Sequence, residues 1–142
     1  MEAFRKIQKR DVQNGFLNEV KVLPILRSYF KDDSIKLISG RAVMDYSSDT
    51  ALFELKTRTN YKTKYDTTMI GINKIEKAQS VGKDAYFIFK YTDCICYIKY
   101  ERELFSTFET KLAGRFDRGM QELKHYIFIP IEHLTEMNTA TI

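Results

Sequence analysis

In 142 residues the chain has two cysteines, two prolines, six glycines and no tryptophan. So little glycine and proline excludes a loop-dominated or low-complexity chain. Two cysteines are too few for a disulfide scaffold or an all-thiolate zinc site. Cys94 and Cys96, separated by one residue, are expected to point to opposite faces of a strand, which suits neither a disulfide nor a shared metal. No apolar run approaches the roughly 18–20 residues of a membrane span. The charged start MEAFRKIQKR has no apolar segment behind it, so no secretory signal is read there. No glycine-rich phosphate loop, dinucleotide fingerprint or nucleophile elbow is present. His125 and His133 stand eight apart on different elements, which excludes a histidine-built centre as the leading expectation.

What is present is a core-forming composition. Hydrophobic residues make up 44% and charged residues 30%, with nine tyrosines and ten phenylalanines. This predicts one folded domain over residues 1–142. The net charge of +4 is unevenly spread. Residues 1–100 carry 18 Lys and Arg against 12 Asp and Glu, and residues 101–142 carry 5 against 7. A basic body suits a polyanionic partner.

Periodicity predicts a helix from Asp11 to Phe30, with Phe16, Glu19, Leu23, Leu26 and Phe30 on one face. Pro24 predicts a kink, or a second helix starting there. Lys31–Ser34 reads as a turn. Ile35–Tyr46 reads as one strand or two joined strands, Ser47–Thr50 as a turn, and Ala51–Thr59 as a strand. Asn60–Thr68 reads as a loop and Met69–Val81 as a helix capped by Gly82. Ala85–Tyr91 and Cys94–Tyr100 form a hairpin about Thr92-Asp93. Residues 101–124 give no periodic pattern. Tyr126–Ile131, with Pro130, reads as a last strand, and Glu132–Asn138 as a short helix. The fold class is α/β, a central mixed sheet flanked by helices.

The chemistry concentrates on three carboxylates and a lysine. With an even-numbered loop at Ser47–Thr50, cross-strand pairs are expected to place Asp45 opposite Leu52 and Val43 opposite Glu54. Asp45, Glu54 and Lys56 then share a face. Glu19 shares the apolar face of its helix, where an unpaired carboxylate is penalised unless it is paired, protonated or metal-bound. A helix crossing the hairpin would bring Glu19 to Asp45 and Glu54. Such an all-oxygen set suits Mg²⁺ or Mn²⁺. The same set meets the needs of phosphodiester hydrolysis, in which a cation activates water and a lysine stabilises developing charge.

Asp45, followed nine positions on by Glu54-Leu55-Lys56 in LFELKTR, resembles the PD-(D/E)xK nuclease superfamily. The resemblance covers roughly residues 15–100. It implies the restriction-endonuclease-like αβββαβ core and a divalent-metal-dependent nuclease. It further implies Asp45, Glu54 and the main-chain carbonyl of Leu55 as metal ligands, Lys56 as the catalytic lysine, and Glu19 as the first-helix acid of many members. Met44 stands where the motif name has proline. Gly15-Phe16-Leu17-Asn18-Glu19 is similar to the start of archaeal Holliday junction resolvases.

Arg58, Lys62 and Lys64, interleaved with Tyr61 and Tyr65, suit a loop that tracks phosphates, and Lys74 and Lys77 could face the same backbone. Gln79 could assist the site or serve a local contact. Arg115 and Arg118 could clamp substrate. The expectation is an intracellular, reduced endonuclease acting on duplex or branched DNA, in cytoplasm or nucleoid, with a viral or phage origin left open. A homodimer would serve cleavage of both strands. A junction resolvase, a non-catalytic binding module of the same fold, and an assembly protein with a surface Glu54–Lys56 pair are the competing readings.

Overall fold

A computed structural model describes residues 17–38, 44–115 and 122–138. The first helix, α1, runs over residues 17–30. It passes through Pro24 without interruption, so the expected second helix start is absent. One missing N–H is outweighed by burial on both sides, at Val22 and Leu26. Residues 11–16, the expected first turn, lie outside the described residues. The helix stops where Lys31 takes φ 51°. Asp32 N then donates to Arg27 O at 3.0 Å and Lys31 N to Ser28 O at 3.4 Å, the paired bonds of a left-handed cap.

The Ile35–Tyr46 run contains two short strands, β1 (Lys36–Leu37) and β2 (Tyr46–Ser47), paired antiparallel. β3 (Ala51–Thr57) follows and is the hub of the larger sheet. It pairs antiparallel with β2 and parallel with β5 (Asp84–Lys90). Its first five residues are all buried, because both faces of this central strand are covered. The hairpin expected at Thr92-Asp93 is present between β5 and β6 (Ile95–Lys99), with Lys90 opposite Ile95.

Met69–Gly71 is strand rather than helix. β4 (Thr67–Gly71) pairs with β8 (Glu122–Pro130), which also pairs with β7 (Glu109–Arg115), making a three-stranded sheet. The helix that follows, α2, is Ile72–Ser80. It ends in an extended Val81, φ −98°, rather than on a left-handed glycine. A short helix, α3 (Arg102–Phe105), and β7 occupy the stretch without periodicity. Glu132–Asn138 is not a helix: a 3₁₀ turn at Ile131–His133 leads into β9 (Thr135–Glu136), the edge of the six-stranded sheet. Pro130 sits at the last position of β8, where a missing donor is tolerated.

The larger sheet separates two apolar layers. On one face Val22 and Leu26 of α1 pack with Tyr46, Ala51, Phe53, Leu55 and Ile88. Phe30 adds ring contacts to Phe53 at 5.3 Å and Tyr86 at 4.9 Å. On the other face Leu52, Phe87 and Phe89 pack with Ile75 and Ala78 of α2, Ile70 of β4, and Ile127 and Ile129 of β8. The fold is α/β with a mixed central sheet, and its αβββαβ order is the restriction-endonuclease-like core expected, with β4 inserted before α2.

Cys94 and Cys96 do not diverge. Residues two apart on an extended segment share a face, and their sulfurs lie 3.6 Å apart as free thiols.

Candidate active site

Tyr46 pairs with Phe53 and Ser47 with Leu52, two residues away from the expected register. The loop is tighter than expected: Ser48 N donates to Ala51 O at 2.8 Å, so Asp49 and Thr50 alone make the turn. Asp45 is therefore not opposite Leu52. A shift of two preserves the face, and it brings Asp45 level with Glu54. Asp45 N donates to Phe53 O at 2.9 Å, and the Asp45 carboxylate accepts the Leu55 N–H at 2.8 Å through Oδ2. Asp45 is thus clamped on the stretch of β3 that carries Glu54.

Glu54 is 2% exposed. Its Oε1 meets Lys56 Nζ at 3.1 Å and Lys74 Nζ at 3.3 Å. Its Oε2 is buried with no hydrogen-bond partner among the described residues. Burial, and then the charge of Asp45, push the Glu54 carboxyl up to about 7 despite both lysines. Glu19 comes from α1, which packs on the opposite layer. Asp45 immediately precedes the short β2, so Glu19 reaches it at the end of that strand. Burial and a side-chain hydrogen bond with Asp45 raise the Glu19 carboxyl to about 7, with the Glu54 charge adding to the shift. Tyr46 fixes the approach of the helix: its hydroxyl donates to Glu19 O at 2.7 Å.

The structure thus brings together Glu19, Asp45, Glu54 and Lys56 of the expected set. Lys74 joins them as an ion-pair partner of Glu54. Its position four residues before buried Ala78, on the inner side of α2, was the available signal. Lys77 is exposed on the same helix. Arg58 is tied into the fold, donating to Thr68 Oγ1 at 3.2 Å and to Met69 O at 2.6 Å. Lys62 is half-buried and Lys64 exposed on a 3₁₀ turn. Gln79 serves a local contact, donating to the Tyr100 hydroxyl at 3.0 Å. Arg118 and the Arg115 side chain lie outside the described residues.

Among the described residues, no group of three or more Asp, Glu, His or Cys side chains is placed as it stands to hold a metal ion. The donor set nevertheless fits a hard cation. Its side chains offer oxygen only, one buried carboxylate oxygen lacks a hydrogen-bond partner among the described residues, and burial, with neighbouring carboxylate charge added, raises Glu19 and Glu54. An ion that keeps several of its waters, as Mg²⁺ does, needs no closed cage.

With this geometry in place the comparison with known families is direct. The chain belongs to the PD-(D/E)xK family described as "Phage putative PDDEXK endonuclease", whose model matches residues 19–137. That span begins at Glu19 and takes in all three carboxylates and both lysines. Among curated proteins and among solved structures, nothing matches the chain. Family and fold point to nuclease chemistry on a nucleic-acid substrate, and PD-(D/E)xK nucleases generally use divalent metals. Among the described residues, no helix is long and apolar enough to cross a membrane.

Proposed function

We propose that the chain is a Mg²⁺- or Mn²⁺-dependent endonuclease that hydrolyses DNA phosphodiester bonds. The carrying observation is Glu54: a buried carboxylate with one oxygen between two lysines, the other without a hydrogen-bond partner among the described residues, and Asp45 level with it. Nothing in ordinary packing calls for that arrangement.

In this reading Asp45, Glu54 and the Leu55 main-chain carbonyl hold the cation, and Glu19 completes the set. The bound cation supplies Lewis acidity, activating water and neutralising charge on the phosphate. Asp45 is oriented by the Leu55 N–H, which also fixes the adjoining peptide. Lys56, 33% exposed, is the ammonium that can meet solvent and substrate together. Lys74, 18% exposed, holds positive charge on the inner side of the same oxygen. Glu19 and Glu54, with carboxyl groups near neutrality in the metal-free protein, can exchange protons at working pH. Lys64 and Lys77, exposed, and Lys62, half-buried, offer positive charge for the DNA backbone. Cleavage of both strands calls for two copies of the chain or two successive cuts.

The test is incubation of the full chain with supercoiled plasmid, linear duplex, single strand and a four-way junction, each with Mg²⁺, Mn²⁺ or EDTA. The reading requires cleavage that EDTA abolishes and that Glu54→Ala and Lys56→Ala remove while the fold survives. Selective cutting of the junction would favour a resolvase. Retention of DNA without cleavage of any substrate would favour a binding module and contradict the proposal.

A further inference from the structure

A second concavity lies on the same face as the carboxylate cluster, farther along β3. Glu54, Lys56 and Arg58 alternate on that face, and Arg58 N donates to Lys90 O at 2.8 Å, so pairing with β5 continues past Thr57. At ~3.3 Å of rise per residue, Arg58 stands ~7 Å beyond Lys56. There Arg58, Lys62, Tyr65, Tyr91 and Phe128 line a cavity of about 330 Å³. That volume lies at the small end of ligand pockets, which begin near about 300 Å³.

Among the described residues its lining has cations, aromatic rings and no carboxylate. The Arg58 guanidinium is fixed by Thr68 Oγ1 and Met69 O and lies 5.8 Å from the Phe89 ring centroid. It is a positioned charge rather than a mobile one. Tyr65 is 58% exposed, a large ring left in solvent beside the opening. Tyr91 is buried, with Thr68 beside it, and its hydroxyl has no hydrogen-bond partner among the described residues. A phenylalanine would fill that place without leaving a buried donor unmet.

We propose that this pocket receives one unstacked nucleobase of the nucleic acid whose backbone lies at the carboxylate cluster. The inference rests on the nuclease reading above. Free phosphate would satisfy Arg58 and Lys62 but leave the aromatic walls without purpose. An apolar ligand would leave the Tyr91 hydroxyl unmet. A base is flat enough to stack on Tyr65, carries edge acceptors for a hydroxyl, and brings its own phosphate to Lys62. Asn60, also in the lining, gives its amide N–H to Tyr61 O at 2.9 Å and so keeps an amide oxygen as acceptor for a base edge.

The test uses the full chain carrying Lys56→Ala, with Mg²⁺, bound to oligonucleotides bearing 5-iodouracil at successive positions, in duplex and single-strand form. After irradiation, the cross-linked peptide is mapped by mass spectrometry. Affinity is measured in parallel for oligonucleotides with an abasic site at each position. The proposal requires a cross-link at Tyr65 or Tyr91 from one position, and a loss of affinity of roughly 5- to 100-fold when that base is removed. Tyr65→Ala must produce a comparable loss with the intact oligonucleotide and little further loss with the abasic one. Tyr91→Phe, which keeps the ring and the fold, must weaken binding of the intact oligonucleotide alone. Binding with cross-links elsewhere, or with no abasic effect, overturns the pocket and leaves the nuclease reading standing. If the chain binds no DNA and the unsubstituted chain cuts none, both fall.

Discussion

Lys74 Nζ lies 3.3 Å from Glu54 Oε1, the oxygen that Lys56 also reaches. Two ammonium groups from different elements, α2 and β3, therefore converge on one buried carboxylate. A cation entering the site would compete with both for that oxygen. Their joint presence gives the cluster a defined charge when metal-free and a source of positive charge for a phosphate when loaded.

Lys74→Met is expected to lower the cleavage rate by roughly 10- to 100-fold, the scale of losing one positioned charge. Affinity for Mg²⁺ should not fall, because a competing cation has been removed. Single-turnover cleavage and calorimetric titration with Mg²⁺ read the two effects separately. Equal losses in both would assign Lys74 to holding the fold.

The metal-free protein should lose stability as pH rises from about 4.5 to about 7. Glu19 and Glu54 have carboxyl groups raised from 4.5 to about 7 in the folded chain. Over that interval the folded state binds more protons than the unfolded state, so unfolding becomes easier with increasing pH. Added Mg²⁺ should stabilise more at pH 8 than at pH 6, where protons occupy the ligands. Thermal melts across this range, with Mg²⁺ or EDTA, are the check.

Glu54→Gln should abolish cleavage yet stabilise the metal-free chain at pH 8. The amide keeps the shape and removes a buried charge whose raised pKa marks it as unfavourable. The gain is expected to be on the order of 1–3 kcal/mol. Urea unfolding in EDTA measures it, and a destabilised variant would show that the lysine pairs outweigh desolvation.

Tyr46→Phe removes the 2.7 Å bond to Glu19 O and little else. A loss of about 1 kcal/mol is expected. Affinity for Mg²⁺ should also drop, because Glu19 is less firmly held over Asp45. Calorimetry on Tyr46→Phe and on Glu19→Gln should show that the tyrosine change has no additional effect once the Glu19 carboxylate is gone.

Much of this site is legible in the residues because strand alternation is a parity rule. Asp45 and Glu54 share a face under the expected register and under the observed one, since a shift of two changes partners and not sides. Parity does not reveal loop length, so the exact partner of Asp45 was not legible. β3 stands out because a charged residue interrupts a run buried on both faces. The second sheet does not, because β7 is polar and its pairing with β8 is specified by contacts across the chain rather than by a local pattern. Met69–Gly71 shares apolar spacing with the helix it precedes, and pairing with β8 decides its conformation. The cysteine expectation failed on geometry alone, for residues two apart on a strand lie side by side.

The most direct measurement is the anomalous diffraction of crystals soaked in Mn²⁺. The account predicts a peak within about 2.1–2.3 Å of carboxylate oxygens of Asp45 and Glu54 and of the Leu55 carbonyl. A fully loaded crystal with Mn²⁺ elsewhere, and with Glu54 still paired to Lys56 and Lys74, would contradict it.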